Sequence, residues 1–389
     1  MPHPAPVYIV AGTRTPVGAF NGALHSVSAP SLCATAARAA ITAAGLAPAD
    51  IEEAFIGAVL QAGTGQAPAR QAVLAAGCPH TTEATTINKV CASGAKALAL
   101  AAATIASGDR HIMLVGGMES MSQAPLYMPR AHTFGNVLAA DAILRDGLLD
   151  AHSQSHMGVC AEHTAHEQQV TREEQDAFAL ESYDRAARAW EQDAFAREIA
   201  PVTVETRAGE TLVSTDEEYT RLQRAKVPTL RAAFVKDGTI TAANASSLSD
   251  GAAALVLASA DAVRTRGLTP LARIVATADA AIAPIDFAMA PKHAIERVLH
   301  KAGLGVADIA LWEINEAFAV VPVAVMRALG LDHAKVNTRG GAVALGHPLG
   351  ASGARIIVTL AHALEPGQYG VAAVCNGGGG ASAVVIQRV

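Results

Sequence analysis

The segment Asn88-Lys89-Val90-Cys91-Ala92-Ser93-Gly94-Ala95-Lys96 predicts the architecture of this chain, because part of it occurs twice. Ala92-Ser93-Gly94-Ala95-Lys96 is matched by Ala351-Ser352-Gly353-Ala354-Arg355, a shift of 259 positions from residue 92 to residue 351. The same shift places Gly108 on Gly367 and the predicted strand 112–115 on the predicted strand 371–374. Matches that keep one shift over this length predict an internal duplication.

A second pair of segments keeps nearly the same shift. Gly45-Leu46 and Ala49-Asp50-Ile51 correspond to Gly303-Leu304 and Ala307-Asp308-Ile309, 258 positions further on. Each copy has the pattern helix, short strand, glycine-rich loop, buried helix, strand, which is typical of an α/β unit with parallel strands. We therefore predict two pseudo-symmetric α/β halves, formed by residues 1–117 with about 242–270 and by residues 271–389.

Residues 118–241 interrupt the repeat, and their composition shifts toward Glu, Gln, Arg and His. Thr171 and Glu174 have the spacing of a capping box, and apolar residues follow helical spacing through Trp190. We predict an inserted loop domain that begins its longest helix near Thr171. His163 and His166 share a helix face, but without a third ligand nearby a solvated surface is favoured over a metal site.

Two of the five cysteines stand in settings that suit catalysis. Cys91 precedes an Ala/Leu-rich helix, where free backbone N–H groups and the helix dipole favour thiolate over thiol. Cys375 follows a predicted strand and opens a run of glycines, which lets backbone amides approach a ligand. Ligands of α/β folds bind beyond the carboxyl ends of strands, so both thiols are expected in one crevice. This arrangement favours acyl transfer to and from a thioester.

Composition excludes several other functions. Of 389 residues 51% are hydrophobic, which indicates large cores, and the net charge of -6 without an aromatic-basic stripe argues against a nucleic-acid partner. The cysteines show no C-x-x-C pair and no zinc spacing, which argues against a structural metal or a disulfide framework and predicts a reducing compartment. No targeting segment and no membrane-spanning stretch is visible. We therefore expect a cytoplasmic protein without a membrane partner.

Four motifs together resemble the signature set of the thiolase family, most strongly that of the mitochondrial-type acetoacetyl-CoA thiolases. They are Asn-Lys-Val-Cys-Ala-Ser-Gly at 88–94, Asn-Glu-Ala-Phe-Ala at 315–319, Gly-Gly-Ala-Val-Ala-Leu-Gly-His-Pro at 340–348 and Cys-Asn-Gly-Gly-Gly-Gly at 375–380. The resemblance extends over essentially the whole chain. It implies the thiolase fold, a layered αβαβα core, and acetyl-CoA C-acetyltransferase activity: the reversible condensation of two acetyl-CoA molecules to acetoacetyl-CoA and CoA.

The resemblance also implies a role for each catalytic residue. Cys91 is the nucleophile that holds the acyl group, and His347 takes its proton. Cys375 moves the α-proton of the incoming acetyl-CoA, while Asn315, through a water, supports the enolate together with His347. The backbone amides of Cys91 and Gly377 hold the oxyanion at the thioester carbonyl. A helix-capping role for Asn315 stays open.

Coenzyme A is the expected substrate and product, with no covalently bound cofactor. A basic stretch could receive its phosphates or be a solvated surface or subunit contact; it comprises Arg221, Arg224, Lys226, Arg231 and Lys236. The family's coenzyme and acyl-pocket positions fall on Tyr183, Arg221, Leu222, Gln223, Lys226, Ser246, His156, Met157, Phe287 and Phe318. Members of this type also hold a potassium ion, at positions that correspond to Tyr183 and the backbone carbonyls of Ala242, Ala243, Ala245 and Val343. The implied assembly is a homotetramer made of two dimers.

Two alternatives stay open beside this prediction. A broad-chain degradative 3-ketoacyl-CoA thiolase shares all four motifs and differs in the depth of its acyl pocket. A non-catalytic protein that binds coenzyme A would show binding without turnover. Within the predicted activity, short acyl chains are expected, but Ala288 replaces the proline that follows Phe287 in the mitochondrial type. Acceptance of 2-methyl-branched acetoacetyl-CoA is therefore undecided.

Overall fold

The computed structural model describes residues 5–131, 134–207 and 209–389. Residues 1–4, which begin the N-terminal stretch without a visible targeting segment, lie outside the described residues. The described strands are β1 Val7–Arg14, β2 Gly18–Ala19, β3 Glu53–Gly57, β4 Glu83–Ile87, β5 Ile112–Ser120, β6 Leu126–Tyr127, β7 Ala140–Asp141, β8 Val202–Thr206, β9 Gly209–Val213, β10 Ser249–Ser259, β11 Ala272–Ala281, β12 Ile309–Ile314, β13 Tyr369–Asn376 and β14 Gly380–Arg388. The described α-helices are α1 Ala29–Ala43, α2 Pro68–Ala75, α3 Ser93–Ala106, α4 Met157–Glu167, α5 Arg172–Glu191, α6 Ala260–Arg266, α7 Ala290–Ala302, α8 Val320–Leu329, α9 Ala342–Leu345 and α10 Leu349–Ala363.

One ten-stranded sheet extends through the molecule in the order β12-β13-β14-β11-β1-β10-β5-β3-β4, with β2 paired to β10. It consists of two half-sheets that meet where β1 pairs with β11. Only part of each half is parallel: β3 pairs parallel with β4 and β5, and β12 with β13, while the pairs made by β1, β10 and β14 are antiparallel. The sheet is therefore mixed, unlike the parallel strands predicted. In the C-terminal half, the antiparallel pair of β13 and β14 results from their short connection. Only three glycines join the two strands, and so tight a connection permits only an antiparallel pair.

Three hydrophobic cores join five layers: one outer core on each side, and a central core that extends over both sides of the middle helices. Helices α1 and α2 pack on the outer face of the N-terminal half-sheet, α3 and α10 fill the space between the two half-sheets, and α7 and α8 cover the outer face of the C-terminal half-sheet. The predicted layered αβαβα core is confirmed. Within the described part of the chain, no helix combines the length and apolar character that crossing a membrane requires.

The two central helices pack through the repeated segment itself. A Cβ on Gly94 of α3 would lie 2.7 Å from the backbone nitrogen of Ala354, and a Cβ on Gly353 of α10 would lie 2.6 Å from the backbone nitrogen of Ala95. Gly94 and Gly353 are equivalent positions of the duplication, as are Ala95 and Ala354. The contact is thus reciprocal, as across a two-fold axis, and it requires glycine because any side chain would force the helices apart.

The segment between the halves is anchored beside the 340–348 loop. Helix α5 begins with the predicted capping box: Thr171 Oγ1 accepts the Glu174 N–H at 3.2 Å, and Glu174 Oε2 accepts the Thr171 N–H at 2.8 Å. Apolar side chains of α5, such as Phe178, pack with Val343 and Leu345 of α9 in a fourth core. The division into an insertion and two halves stays a prediction.

Candidate active site

A cavity of about 300 Å³ brings nine of the predicted site residues together. Its lining includes Cys91, His156, Met157, Ala245, Ser246, Phe287, Phe318, His347 and Gly377. These residues are far apart in the sequence, so the cavity depends on contacts between distant segments of the chain. Cys375 and Asn315 are not among the residues that line it, so the expectation that both thiols open into one crevice stays a prediction.

Cys91 lies in a tight turn immediately before α3. Val90 has a left-handed backbone with φ of 49°, which is unusual for a β-branched residue. Ser93 stabilises the turn from the first position of the helix: its Oγ accepts the Lys89 N–H at 2.8 Å and donates to the Val90 carbonyl at 2.6 Å. The nucleophile is therefore presented from a fixed backbone at a helix N-terminus.

The predicted preference of Cys91 for the thiolate is wrong for the resting protein. Burial raises the pKa of the Cys91 thiol to about 12, although the backbone N–H groups of Gly377 and of Cys91 itself lower it. The effect of burial on the pKa of Cys91 thus outweighs the effect of the local hydrogen-bond donors. A sequence shows such donors, but it does not show burial. A neutral thiol needs a base, and the two N–H groups lie where a developing negative charge can be stabilised.

The surroundings of His347, which lines the same cavity as Cys91, suit a base. Its Nδ1 lies 2.6 Å from Ser352 Oγ, and its Nε2 is buried without a hydrogen-bond partner among the described residues. Burial, and then the charge of Arg355, lower the pKa of His347 to about 3, which keeps the imidazole neutral. Ser352 was not singled out from the sequence. It is, however, the repeat equivalent of Ser93, so the duplication held the signal that could have identified it.

The second thiol is close enough to Cys91 to interact with it, although Cys375 does not line the cavity. Cys375 is fully buried on β13, and burial followed by the proximity of Cys91 raises the pKa of the Cys375 thiol. Asn315 follows β12, and both polar atoms of its buried side chain have no hydrogen-bond partner within the described residues. The capping alternative for Asn315 is wrong, because Ala319 precedes α8 as its N-cap and the Asn315 amide oxygen bonds no backbone N–H of the helix. The amide is left free to bind a water or a substrate oxygen.

A buried carboxylate that sequence reasoning missed connects the two halves behind the cavity. Glu119, at the end of β5, accepts the N–H groups of Val59 at 3.1 Å, Leu60 at 3.0 Å and Gly350 at 2.8 Å. Burial raises the pKa of Glu119 to about 7. Since Gly350 lies three residues after His347, this carboxylate fixes the start of α10. No sequence motif marks Glu119, because its partners lie far away along the chain.

A second cavity of about 300 Å³ collects most of the residues expected at the coenzyme. Its lining includes Tyr183, Arg221, Leu222, Gln223, Lys226, Ala242 and Ala243. Ser246 lies apart from this group, in the cavity that holds Cys91. The basic stretch is partly neutralised, because Arg221 pairs with Glu218 at 3.5 Å and Arg224 pairs with Asp184.

The residues expected at a potassium ion offer oxygen atoms. The Tyr183 hydroxyl and the carbonyls of Ala242, Ala243, Ala245 and Val343 form no hydrogen bond with any described residue. Burial and the neighbouring carboxylates of Glu218 and Glu316 raise the pKa of Tyr183, which keeps it a neutral phenol. Oxygen ligands next to buried negative charge fit a hard monovalent cation.

Comparison with known proteins gives one consistent result. Residues 7–261 match the thiolase N-terminal domain and residues 268–388 match the thiolase C-terminal domain. The chain is similar to the mitochondrial acetyl-CoA acetyltransferase of Danio rerio, 52% identical over 98% of this chain and 92% of that protein. The mitochondrial acetyl-CoA acetyltransferase of Homo sapiens is also 52% identical, over 98% of this chain and 90% of the relative.

Solved structures agree. The crystal structure of Acat5 thiolase from Ascaris suum in complex with coenzyme A has a TM-score of 0.96 and 49% identity, and the match covers 99% of this chain and 100% of that chain. The crystal structure of human mitochondrial 3-ketoacyl-CoA thiolase has a TM-score of 0.95 and 38% identity, with 99% of each chain covered.

These relatives contradict the expected cytoplasmic location. The curated proteins that are about half identical to this chain are named as mitochondrial enzymes, so the prediction of a cytoplasmic location is contradicted. The prediction relied partly on five free cysteines, and free thiols indicate a reducing environment without telling one such compartment from another.

Proposed function

Because this chain belongs to the thiolase family, we propose that it is an acetyl-CoA C-acetyltransferase, which condenses two acetyl-CoA molecules to acetoacetyl-CoA and CoA and catalyses the thiolytic reverse. The observation that carries the proposal is the meeting of two buried thiols, Cys91 and Cys375, beside a neutral His347. Identity of about one half to acetyl-CoA acetyltransferases, over nearly the whole chain, supports it further.

In the first half-reaction, His347 Nε2 takes the proton from Cys91 Sγ as the sulfur attacks the carbonyl of acetyl-CoA. The carbonyl oxygen becomes an oxyanion held by the N–H groups of Cys91 and Gly377. Collapse of this intermediate expels the CoA thiolate, which takes the proton from His347, and leaves acetyl-Cys91. One such N–H donor contributes about 2.7 to 4 kcal/mol to the stability of the transition state.

In the second half-reaction, the Cys375 thiol passes its proton to the neutral His347, and the resulting thiolate removes an α-proton from a second acetyl-CoA. The enolate oxygen is stabilised by His347 and by a water held on the Asn315 amide, whose buried nitrogen and oxygen are both unpartnered among the described residues. The enolate carbon then attacks acetyl-Cys91, a carbon–carbon bond forms, and the carbon–sulfur bond to Cys91 breaks. Acetoacetyl-CoA leaves, and the Cys91 thiolate regains a proton from His347, which restores the neutral imidazole.

We propose short acyl chains as substrates because aromatic rings close the acyl end of the cavity. Phe318 lies edge-on to Phe234 at 5.8 Å and to Phe287 at 6.4 Å between ring centroids. Ala288 is fully buried behind this wall and does not line the cavity, so its replacement of proline acts on substrates only through Phe287. The broad-chain alternative is kept, because the fold also matches a 3-ketoacyl-CoA thiolase with a TM-score of 0.95.

We propose that the second cavity receives coenzyme A, as it lies beside Lys226 and Arg221, and that potassium is held by Tyr183 with the carbonyls of Ala242, Ala243, Ala245 and Val343. Such an ion would supply charge that orders the segment leading to Ser246. Activity measured at equal ionic strength in potassium and in sodium tests this. Equal kcat and KM in both salts would reject the ion.

We propose a homotetramer for the assembly. One end of the sheet is covered, since Asn337 donates to Ile314 O and accepts the Ile314 N–H, both at 2.8 Å. At the other end, the outer edge of β4 has no described strand paired to it. Exposed apolar side chains on the segment 126–138 offer a second contact; they are Leu126, Met128, Phe134 and Leu138. Light scattering after gel filtration distinguishes a tetramer from a dimer or a monomer.

The activity is tested by following the two half-reactions separately. Wild-type protein incubated with acetyl-CoA should carry one acetyl group on the Cys91 peptide in a mass spectrum, and Cys91→Ala should carry none. Cys375→Ala should still be acetylated but should fail to exchange the methyl protons of acetyl-CoA with solvent. Thiolytic rates with acetoacetyl-CoA, 2-methylacetoacetyl-CoA and longer 3-ketoacyl-CoA substrates decide the chain length. Absence of acetyl-Cys91 in the wild type, together with tight CoA binding, would instead support a non-catalytic binding protein.

A further inference from the structure

Lys89 carries a charge that no catalytic step above uses, although it lies two residues before Cys91. Its Nζ lies 2.6 Å from Asp279 Oδ1, 2.8 Å from Ser382 Oγ and 3.2 Å from the Ala381 carbonyl. The three acceptors belong to β11 and β14 of the C-terminal half. The Lys89 side chain therefore crosses from the nucleophile turn of one half to the sheet of the other.

Two of the three acceptors, Ala381 and Ser382, lie on β14, the strand that is paired with the strand of Cys375. In the register of β13 and β14, Ala381 is the partner of Cys375 and Ser382 is the partner of Val374. Ser382 also pairs with Asp279 across β11, and its Oγ donates to Asp279 Oδ1 at 2.6 Å. The ammonium group of Lys89 is thus bound to the backbone carbonyl of the residue opposite Cys375 and to two side chains next to it.

The nucleophile turn has few other connections to that half. Most of its hydrogen bonds are internal: Val90 N–H to Asn88 Oδ1 at 3.0 Å, and the two bonds of Ser93 described above. Asn88 also reaches Val59 at 3.4 Å, within the same half. Among the described residues, the turn has two hydrogen-bonded connections to the C-terminal half: the Gly377 N–H at the Cys91 sulfur, and the bonds of the Lys89 side chain. A β-branched residue in a left-handed conformation, such as Val90, persists only when its surroundings hold it there.

Lys96 provides an internal comparison. Its Nζ lies 2.6 Å from the other oxygen of the same carboxylate, Asp279 Oδ2, and its side chain is 31% exposed against 24% for Lys89. Loss of either lysine therefore removes one cation from Asp279 in a similar solvent environment. Lys96, however, lies inside α3, a helix packed between both half-sheets, so its bond does not control the turn.

We propose that Lys89 is a positioning residue that holds the Cys91 turn against the strands carrying Cys375 and so sets the separation of the two thiols. The inference rests on the function proposed above and deepens it. Acetylation of Cys91 needs only Cys91, His347 and the oxyanion donors, whereas carbon–carbon bond exchange needs both sulfurs on one substrate. A displacement of about 1 Å of reacting groups costs on the order of 10²-fold in rate. Loss of Lys89 should therefore slow bond exchange much more than acetylation.

The test compares Lys89→Met with Lys96→Met in the full-length protein. For each variant, the rate of acetyl-Cys91 formation from acetyl-CoA and kcat for thiolysis of acetoacetyl-CoA are measured, and their ratio is compared with that of the wild type. Lys89→Met should lower thiolysis at least about tenfold more than acetylation, while Lys96→Met should leave the ratio within about twofold. Lys89→Arg should restore most of the ratio, because it keeps a donor cation at the same place.

Thermal unfolding of both Met variants separates positioning from general destabilisation. Equal ratios in Lys89→Met and Lys96→Met, or thiolysis and acetylation falling by the same factor in Lys89→Met, would overturn the proposal. If Lys89→Met does not fold, the same ratio is measured for Ser382→Ala, where a smaller shift in the same direction is expected and an unchanged ratio overturns it. A wild type that never forms acetyl-Cys91 would refute the proposed activity itself, which is a different outcome.

Discussion

Replacing Ser352 by alanine should slow acetylation of Cys91 while the fold is largely kept. Ser352 Oγ lies 3.0 Å from the Pro348 carbonyl, which can only accept, and 2.6 Å from His347 Nδ1. The hydroxyl has a single proton, so donation to Pro348 leaves the oxygen to accept the Nδ1–H of His347. This assignment places the free electron pair on Nε2, the nitrogen of His347 that has no described partner. Ser352 therefore selects the tautomer that can act as a base.

The size of the effect follows from what the substitution leaves behind. Without the serine oxygen, a buried Nδ1–H has no acceptor, which costs about 1 to 3 kcal/mol. If the whole cost appears in the acetylation barrier, the rate falls about 5- to 150-fold, since each 1.36 kcal/mol is about a factor of ten. The ring escapes this cost only by moving its proton to Nε2, and that tautomer cannot remove a proton from Cys91. Acetylation is slowed in either case.

Rapid-quench mass spectrometry of the Cys91 peptide measures the acetylation rate directly. Thr359→Val is a suitable control, because Thr359 is fully buried on the same helix and its Oγ1 donates to Glu198 Oε1 at 3.1 Å. Both substitutions remove one buried hydroxyl from α10, but only Ser352 contacts His347. We expect a lower melting temperature in both and slower acetylation in Ser352→Ala alone. Wild-type acetylation in Ser352→Ala, or equal slowing in Thr359→Val, would refute the tautomer argument.

Three further predictions follow from the site and the core. Asn315→Ala should lower condensation about 100- to 1000-fold, the value of one oxyanion donor, and change acetylation of Cys91 by only a few-fold when the two half-reactions are measured separately. The pKa of His347 is lowered to about 3, so below pH 6.5 the folded state binds fewer protons than the unfolded state. The free energy of unfolding should therefore be unaffected by the titration of His347 above that pH and fall on acidification, by up to about 1.4 kcal/mol per pH unit. Urea titrations at pH 7, 6 and 5 should show this loss in the wild type and not in His347→Asn. Gly94→Ala should cost about 1 to 3 kcal/mol of unfolding free energy by overpacking the contact between α3 and α10, whereas Gly305→Ala, whose added Cβ would meet one carboxylate oxygen at 3.6 Å, should cost less in the same denaturation assay.

The duplication and the four motifs predicted most of the architecture and the residues that meet at the cavity. Equal residues at equal positions of a repeat make equal contacts, as the reciprocal packing of Gly94 and Gly353 shows, but the sequence predicted the duplication and not this contact. The protonation state of Cys91 was not predictable in the same way. Hydrogen-bond donors next to a cysteine are visible in a sequence, but the burial that raises its pKa results from the packing of distant segments.

Other errors have the same origin in long-range structure. Glu119 has partners at residues 59, 60 and 350, so nothing near it in the chain marks it as part of the site. β10 pairs antiparallel with β1 and β5, and β14 pairs antiparallel with β11 and β13. These directions could not be seen from the alternation of helices and strands, which describes only the order of the elements. A single polar residue between apolar neighbours, such as Glu119, does not show which distant residues it will contact in the folded protein.

The placement of the nucleophile and the base at two helix starts explains how neutral groups can generate a thiolate here. Cys91 lies two residues before α3, and His347 lies two residues before α10. The positive end of a helix dipole favours an anion and opposes a cation. The thiolate and the oxyanion are therefore stabilised at the start of α3, whereas an imidazolium at His347 is destabilised by α10, by burial and by Arg355. An imidazolium held so unfavourably returns its proton readily, and the departing CoA thiolate can accept it. The same environment that leaves the resting thiol protonated thus promotes the proton transfer that completes acetylation.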